Sequence, residues 1–257
     1  MRHRSPAMKR LDGKVALVTG GTGGLGRAIC QALAAEGANV VVGYNRSASA
    51  AHVLVQELSP TPRGHWAAPA PVQDSAALKT LALNVNKHYG RCDILVNCAG
   101  ITRFVPHDDL DSLDDALIDE IFATNVRGAI ACVRAFLPLL QARAGSLVVN
   151  ISSIAGRTAM GSNIAYCASK AAVDNLTASL ARALAPKVRV VSVAPGLADT
   201  EFVQGLASEW RDAQARQTPL GRLAGPEEVA DAVIAAACLL TFTTGVVIPV
   251  DGGRPLG

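Results

Sequence analysis

Seven short apolar runs divide the chain, and their spacing decides what it can fold into. VALVTG begins at Val15, ANVVVG at Ala38 and DILVNCAG at Asp93. SLVVNIS from Ser146, VRVVSVAPG from Val188 and GVVIPVDGG from Gly245 continue the series. Runs this apolar match strands that are covered on both faces. GHWAAPA from Gly64 is a poorer strand, because Pro69 and Pro71 cannot donate to a ladder. Helical patterns fill the intervals: Leu25 to Gly37, Ala48 to Leu58, Ser75 to Tyr89, Asp114 to Ala142, Ile164 to Ala185 and Pro226 to Leu240. Strand and helix alternate without a flexible linker, an internal repeat or a low-complexity tract. This predicts an α/β fold, with one doubly wound domain over residues 13–257 built on a parallel seven-stranded sheet.

Residues 1–12 read as a basic, solvated tail, with Arg2, Arg4, Lys9 and Arg10. The tail lacks the apolar core of a signal peptide, and no apolar run is long enough to span a bilayer. Half of the 257 residues are hydrophobic, only 18% are charged and the net charge is +3. That balance excludes a disordered chain and gives no basis for a nucleic-acid partner. Cys30, Cys92, Cys98, Cys132, Cys167 and Cys238 form no Cys-x-x-Cys pair, and the five histidines are dispersed. Neither a metal site nor a disulfide framework is expected. The cysteines read as small buried residues of a protein kept in a reducing cytoplasm.

Ligands of such a sheet bind outside the carboxyl ends of its strands. The first strand runs there into TGGTGGLG, Thr19 to Gly26, and then into a helix. Gly20 permits the tight turn, Gly24 lets the backbone approach a pyrophosphate, and Gly26 lets the helix pack close to the strand. The exposed amides and the positive end of the helix suit phosphates, so a dinucleotide is the expected ligand.

A second feature lies in AYCASK, residues 165–170. If helical, Tyr166 and Lys170 share one face, one turn apart. On its own the pair is a common surface pattern. In order along the chain, however, Thr19-Gly20-x-x-x-Gly24-x-Gly26 is followed by NCAG (Asn97 to Gly100), NVRG (Asn125 to Gly128) and NISS (Asn150 to Ser153). YCASK, VAPG (Val193 to Gly196), PLGRLAGPEEVA, TG and VDGG complete the set. Together these motifs resemble the short-chain dehydrogenase/reductase family over essentially the whole chain after the tail. Cys98 stands where the family has a second asparagine.

The resemblance implies a Rossmann domain that transfers hydride between a nicotinamide and a carbonyl or alcohol carbon. It implies a catalytic tetrad of Asn125, Ser153, Tyr166 and Lys170. Tyr166 would give its phenolic proton to the carbonyl oxygen. An unperturbed tyrosine, with a pKa of about 10, is a poor proton partner near neutral pH. A lysine ammonium one turn away favours the phenolate. Lys170 would also bond the nicotinamide ribose. Ser153, chosen over Ser152 by its interval to the tyrosine, would donate to the same substrate oxygen. Asn125 would hold a water that relays protons from Lys170.

The implied cofactor contacts begin with Gly20, Thr22, Gly24, Leu25 and Gly26. They continue with Tyr44, Asn45, Arg46 and Ser47 after the second strand, Val72 after the third, and Asn97, Ala99 and Gly100 after the fourth. Tyr166, Lys170, Pro195, Gly196, Ala198 and Thr200 complete them. An NAD enzyme of this fold usually carries an acid after the second strand, to accept from the ribose hydroxyls. Tyr44 takes that place, and Arg46 suits a 2′-phosphate. NADP(H) is therefore expected, with NAD(H) as the alternative.

Pro71 stands where the family has its adenine-contacting acid, with Asp74 matching only the later acid. Ala198 replaces a larger β-branched residue, and the connection from Leu240 to Thr244 is a few residues short. Thr200 to Pro219 resembles a mobile substrate flap, with Phe202, Leu206 and Trp210 as its candidate apolar underside. Its length is similar to that in 3-oxoacyl-acyl-carrier-protein reductases, although small ketones, sugars and steroids remain open as small-molecule substrates. The family also implies a homotetramer, assembled through the long apolar helices that begin near Asp114 and Ile164. The alternative from a different class is a catalytically silent, dinucleotide-sensing protein on the same fold. Its signature would be loss of Tyr166, Lys170 or Ser153, and all three are present.

Overall fold

The computed structural model describes residues 9–256. Strands β1 (Val15–Thr19), β2 (Asn39–Tyr44), β3 (Trp66–Pro69), β4 (Ile94–Asn97), β5 (Ser146–Ile151), β6 (Val188–Pro195) and β7 (Val247–Val250) form one sheet. Its order is β3-β2-β1-β4-β5-β6-β7, and every pairing is parallel. The larger helices are α1 (Gly24–Ala35), α2 (Ala48–Glu57), α3 (Ser75–Tyr89), α4 (Asp115–Phe122), α5 (Gly128–Gln141), α7 (Ile164–Leu184) and α10 (Pro226–Cys238). Short helices α6 (Ala155–Thr158), α8 (Glu201–Gln204) and α9 (Ser208–Arg216) lie after β5 and β6.

The strand period of two sends alternate side chains to opposite faces. In β1, Ala16 and Val18 join a cluster with Ile29 and Leu33 of α1 and Val229 and Val233 of α10. Val15 and Leu17 join the opposite cluster, with Leu78 and Val85 of α3 and Phe136 of α5. Both faces are therefore core, which explains why the strand reads as an unbroken apolar run. Burying each such Val or Leu contributes about 1.5–3 kcal/mol.

β3 forms despite its prolines because it is an edge strand, where the missing N–H of exposed Pro69 breaks no interior ladder. α3 keeps its expected limits through its caps. The Asp74 carboxylate accepts from Ala76 N and Ala77 N, both at 2.9 Å, and Gly90 closes the other end at φ +71°.

Two expectations need correction. The helix from Asp114 to Ala142 is not uniform: a π turn, Ala123–Arg127, separates α4 from α5 and carries Asn125 at its centre. The tail does not stay solvated up to residue 12. Leu11 is buried in the core cluster of α1, and its N–H donates to Glu36 O at 2.9 Å, because a lone leucine is more stable under α1 than in water. Arg2 and Arg4 lie outside the described residues. The short connection after Leu240 is held by Arg189 of β6, whose guanidinium donates to Ala236 O, Leu240 O and Thr243 O at 2.9, 2.9 and 3.1 Å. No helix among the described residues is long and apolar enough to cross a membrane.

Candidate active site

The glycine loop connects β1 to α1. Gly20 adopts φ +64°, and a Cβ there would lie 2.9 Å from Ala99 Cα, so only glycine fits both the turn and the close approach to the end of β4. A Cβ on Gly26 would collide with Gly20 O, which confirms the close packing of helix on turn. Gly24 has a further reason to be glycine: a Cβ would lie 2.9 Å from Thr200 Cβ. The loop after β6 thus closes over the glycine loop, and Thr200 and Gly24 share one place. No side chain caps α1, so its first amides are free for an anion. This bare helix end, framed by glycines, fits a pyrophosphate.

Thr19 pins β4 to the same corner. Its Oγ1 accepts from Cys98 N at 3.1 Å and Ala99 N at 3.2 Å, and donates to Val96 O at 3.3 Å. Below it runs a buried polar chain: Asn97 Nδ2 donates to Asn150 Oδ1 and Asn150 Nδ2 to Thr177 Oγ1, each at 2.8 Å. Asn97, Asn125, Asn150 and Lys170 line a small cavity with room for about one water. Burial pushes the Cys98 thiol up to about 11, so it stays protonated and packs as a small apolar group.

β5 ends in the two serines, which face different ways. Ser152 is 3% exposed and donates to Lys170 O at 3.3 Å. Ser153 is half-buried, and its oxygen accepts from Ala155 N at 3.1 Å, the turn that starts α6. That bond uses a lone pair and leaves the hydroxyl proton free to be given to a ligand. Of the two, Ser153 is the one whose hydroxyl proton is unspent.

α7 presents Tyr166 and Lys170 one turn apart, as the spacing predicts. The Lys170 ammonium lies 5.5 Å from the Tyr166 ring centre and donates to Ile151 O at 2.9 Å. A Cβ on Gly100 would lie 3.4 Å from Asn125 Oδ1 and 3.7 Å from Lys170 Nζ, so the three positions converge. The Asn125 side chain is fully engaged. Its Oδ1 accepts from Ile101 N at 2.9 Å, and its Nδ2 donates to Ile101 O and Ser169 Oγ, both at 3.1 Å. It therefore clamps the loop after β4 to α7.

Around the rim, Asn45, Arg46 and Ser47 are exposed after β2 and Tyr44 is half-buried. Ser47 precedes α2 without capping it with its side chain. Val72 is buried against Gly128. Thr22 and Leu25 are half-buried on the glycine loop, Pro195 and Ala198 are buried after β6, and Gly196 N donates to Val250 O at 2.9 Å. Leu206 and Trp210 are 38% and 40% exposed, and Val203 is the residue turned inward. The Phe202 side chain lies outside the described residues.

Asn163 escaped the sequence reading. Fully buried, it caps α7: its Oδ1 accepts from Tyr166 N at 2.7 Å, and its Nδ2 donates to Arg103 O at 2.7 Å and Thr102 Oγ1 at 3.3 Å. It fixes α7 to the loop after β4. An asparagine just before a helical pattern is a readable cap signal, and that signal would have found it.

A family model described as short chain dehydrogenase matches residues 14–211. The chain is 39% identical over 251 residues to a protein named ketoacyl reductase 2 of the granaticin polyketide synthase, from Streptomyces violaceoruber; the match covers 95% of this chain and 97% of the other. It is 34% identical over 242 residues to a 3-oxoacyl-acyl-carrier-protein reductase of Staphylococcus aureus, covering 93% and 97%. A solved short-chain dehydrogenase/reductase from Serratia marcescens superposes with a TM-score of 0.87 at 32% identity, covering 96% and 99%.

Proposed function

Because the chain belongs to the short-chain dehydrogenase family and is thereby a nicotinamide-dependent oxidoreductase, we propose that Asn125, Ser153, Tyr166 and Lys170 form its catalytic set. The reaction is interconversion of a carbonyl and a secondary alcohol, with a 3-oxoacyl group as the first candidate substrate. The ketoacyl and 3-oxoacyl names of two relatives support that choice. The observation that carries the reading is the buried Lys170 ammonium beside Tyr166, at the point where Gly100 and Asn125 converge.

The nicotinamide dinucleotide, when bound, supplies or accepts the hydride. The chain does the rest. The glycine loop and the bare end of α1 hold phosphate. Tyr166 hands its phenolic proton to the carbonyl oxygen during reduction. Ser153 donates its free proton to the same oxygen and stabilises the charge developing there. Lys170, beside the Tyr166 ring, would donate to the ribose.

NADP(H) is the preferred cofactor in this reading, with NAD(H) second. Arg46 makes no ion pair or hydrogen bond among the described residues, the start of α2 is uncapped by side chains, and Tyr44 brings no carboxylate to repel a 2′-phosphate. A homotetramer and a cytoplasmic location belong to the same proposal. Ile130 on α5 and Ile164 on α7 are 40% and 41% exposed, on the helices expected to meet other copies, and all six cysteines are free thiols.

The test combines a carbonyl panel, assayed with NADPH and NADH, and Tyr166→Phe. The variant should lose turnover on every accepted carbonyl while still binding NADPH in a fluorescence titration. Turnover within a few-fold of the wild type would sink the assignment.

A further inference from the structure

Asp174 lies one turn beyond Lys170 and two beyond Tyr166 on α7, so the three side chains share a face. Its surroundings are poor for a carboxylate. An ionised carboxylate offers about four lone-pair sites. Yet both oxygens of Asp174 are shielded from solvent, and neither receives a full hydrogen bond. The nearest cation is Arg157 of α6, whose Nε is 3.8 Å from Oδ2, beyond hydrogen-bonding reach, on a side chain that is 58% exposed. Burial raises the carboxyl above its usual range; the Ser152 hydroxyl, Arg157 and Lys170 pull partly against that rise.

Such a group costs stability, because a buried charge with too few partners loses more hydration than it regains. An asparagine would fill nearly the same volume without the charge. The fold alone therefore gives no reason for the carboxylate, but its neighbours do. Ser152 has one proton and faces two acceptors, Lys170 O and Asp174. Its chain neighbour is Ser153. Two residues before Arg157, α6 begins, and a Cβ on Gly156 would lie 2.8 Å from Ala171 N and Lys170 C. The corner carrying Ser153 is thus pressed onto the backbone of Lys170, with Asp174 at the seam.

We infer that Asp174 is a positioning residue that holds the Ser152–Arg157 corner against α7 and so sets the Ser153 hydroxyl relative to Tyr166. It acts through the Ser152 hydroxyl and the Arg157 guanidinium, and it touches neither substrate nor cofactor. The inference rests on the proposed catalytic set, and the experiment separates the two: Tyr166→Phe tests the set, and Asp174→Asn tests the seam.

In purified full-length protein, Asp174→Asn should lower kcat by about tenfold to a hundredfold, the scale of a small misplacement at a reacting centre. NADPH affinity should stay within about twofold, and Tm should hold or rise, because an unpaired charge has been removed. Ser152→Ala should lower kcat in the same direction. The double variant should be no worse than the more impaired single one, because both act through one contact. Wild-type kcat in Asp174→Asn overturns the inference. So does a kcat loss accompanied by a lower Tm, weaker NADPH binding or a changed oligomeric state, which would make Asp174 a residue of fold or assembly. Additive losses in the double variant overturn the route through Ser152.

Discussion

Lys170 keeps its ammonium 5.5 Å from the centre of the Tyr166 ring and ties it to Ile151 O at 2.9 Å. The lysine is anchored to the sheet, and its place beside the tyrosine ring is thereby fixed. Ile151 ends β5, so the central sheet sets where the charge sits relative to the phenol.

Lys170→Met should abolish turnover and weaken NADPH binding as well, because one ammonium serves phenol, ribose and Ile151 O. Isothermal titration of the purified variant checks the second half. Unchanged NADPH affinity would remove the ribose contact from the role of Lys170.

Tyr44→Asp should turn the cofactor preference toward NADH, by repelling a 2′-phosphate and accepting from the ribose hydroxyls. Arg46→Ala should erode the NADPH preference without creating an NADH one. Charge-assisted contacts contribute about 1.5–3 kcal/mol, so the kcat/KM ratios should move roughly ten- to hundred-fold. A wild type that already prefers NADH would show Arg46 to be an ordinary loop residue.

Asn163→Ala should cost about 2 kcal/mol, since it removes a helix cap and strands the Arg103 carbonyl. Thermal unfolding would show a Tm lower by several degrees. Turnover at a temperature well below that Tm should fall further than NADPH affinity does, because the lost bond ends on Tyr166 N. Equal loss of both would make Asn163 a general fold residue.

Arg189→Met should destabilise the protein by about 2–4 kcal/mol, because three carbonyls at the end of α10 lose a charged donor. Turnover should remain within about twofold. Arg189 is the second residue of β6 and Pro195 its last, which puts the arginine about 20 Å from the carboxyl end of the strand at 3.3 Å per residue. Denaturant titration and a standard assay measure the two effects separately.

β1, β2, β4, β5 and β6 were legible because each is covered on both faces and so carries a continuous apolar run. α3 was legible to its ends, because its caps are written into Asp74 and Gly90. The residues of the proposed catalytic set could be placed by motif, and the structure brings Asn125 and Lys170 together at Gly100. Other features depend on what meets what, and the sequence carries no direct trace of that. Gly24 reads the same whether a phosphate or Thr200 comes close. Leu11 looks like part of a tail until α1 is seen above it. Leu206 and Trp210 match an apolar stripe, yet Val203 is the one turned inward. Asp174 sits in an ordinary helical pattern, and its missing partners show only when the neighbouring elements are assembled.

The π turn at Ala123–Arg127 works as a phase correction. One extra residue is held in its hydrogen-bonded ring, and each residue of an α-helix advances the side-chain direction by about 100°. Before the turn, Leu117 and Ile121 of α4 pack with Val105 and Ala165 beside the site. After it, Cys132, Phe136 and Leu140 of α5 pack against α3 under the sheet. A uniform helix could not address both surfaces in one register. Length is therefore fixed here as tightly as residue identity is elsewhere. Deleting any one of these five residues would swing either Asn125 or the whole apolar face of α5 away from its partners.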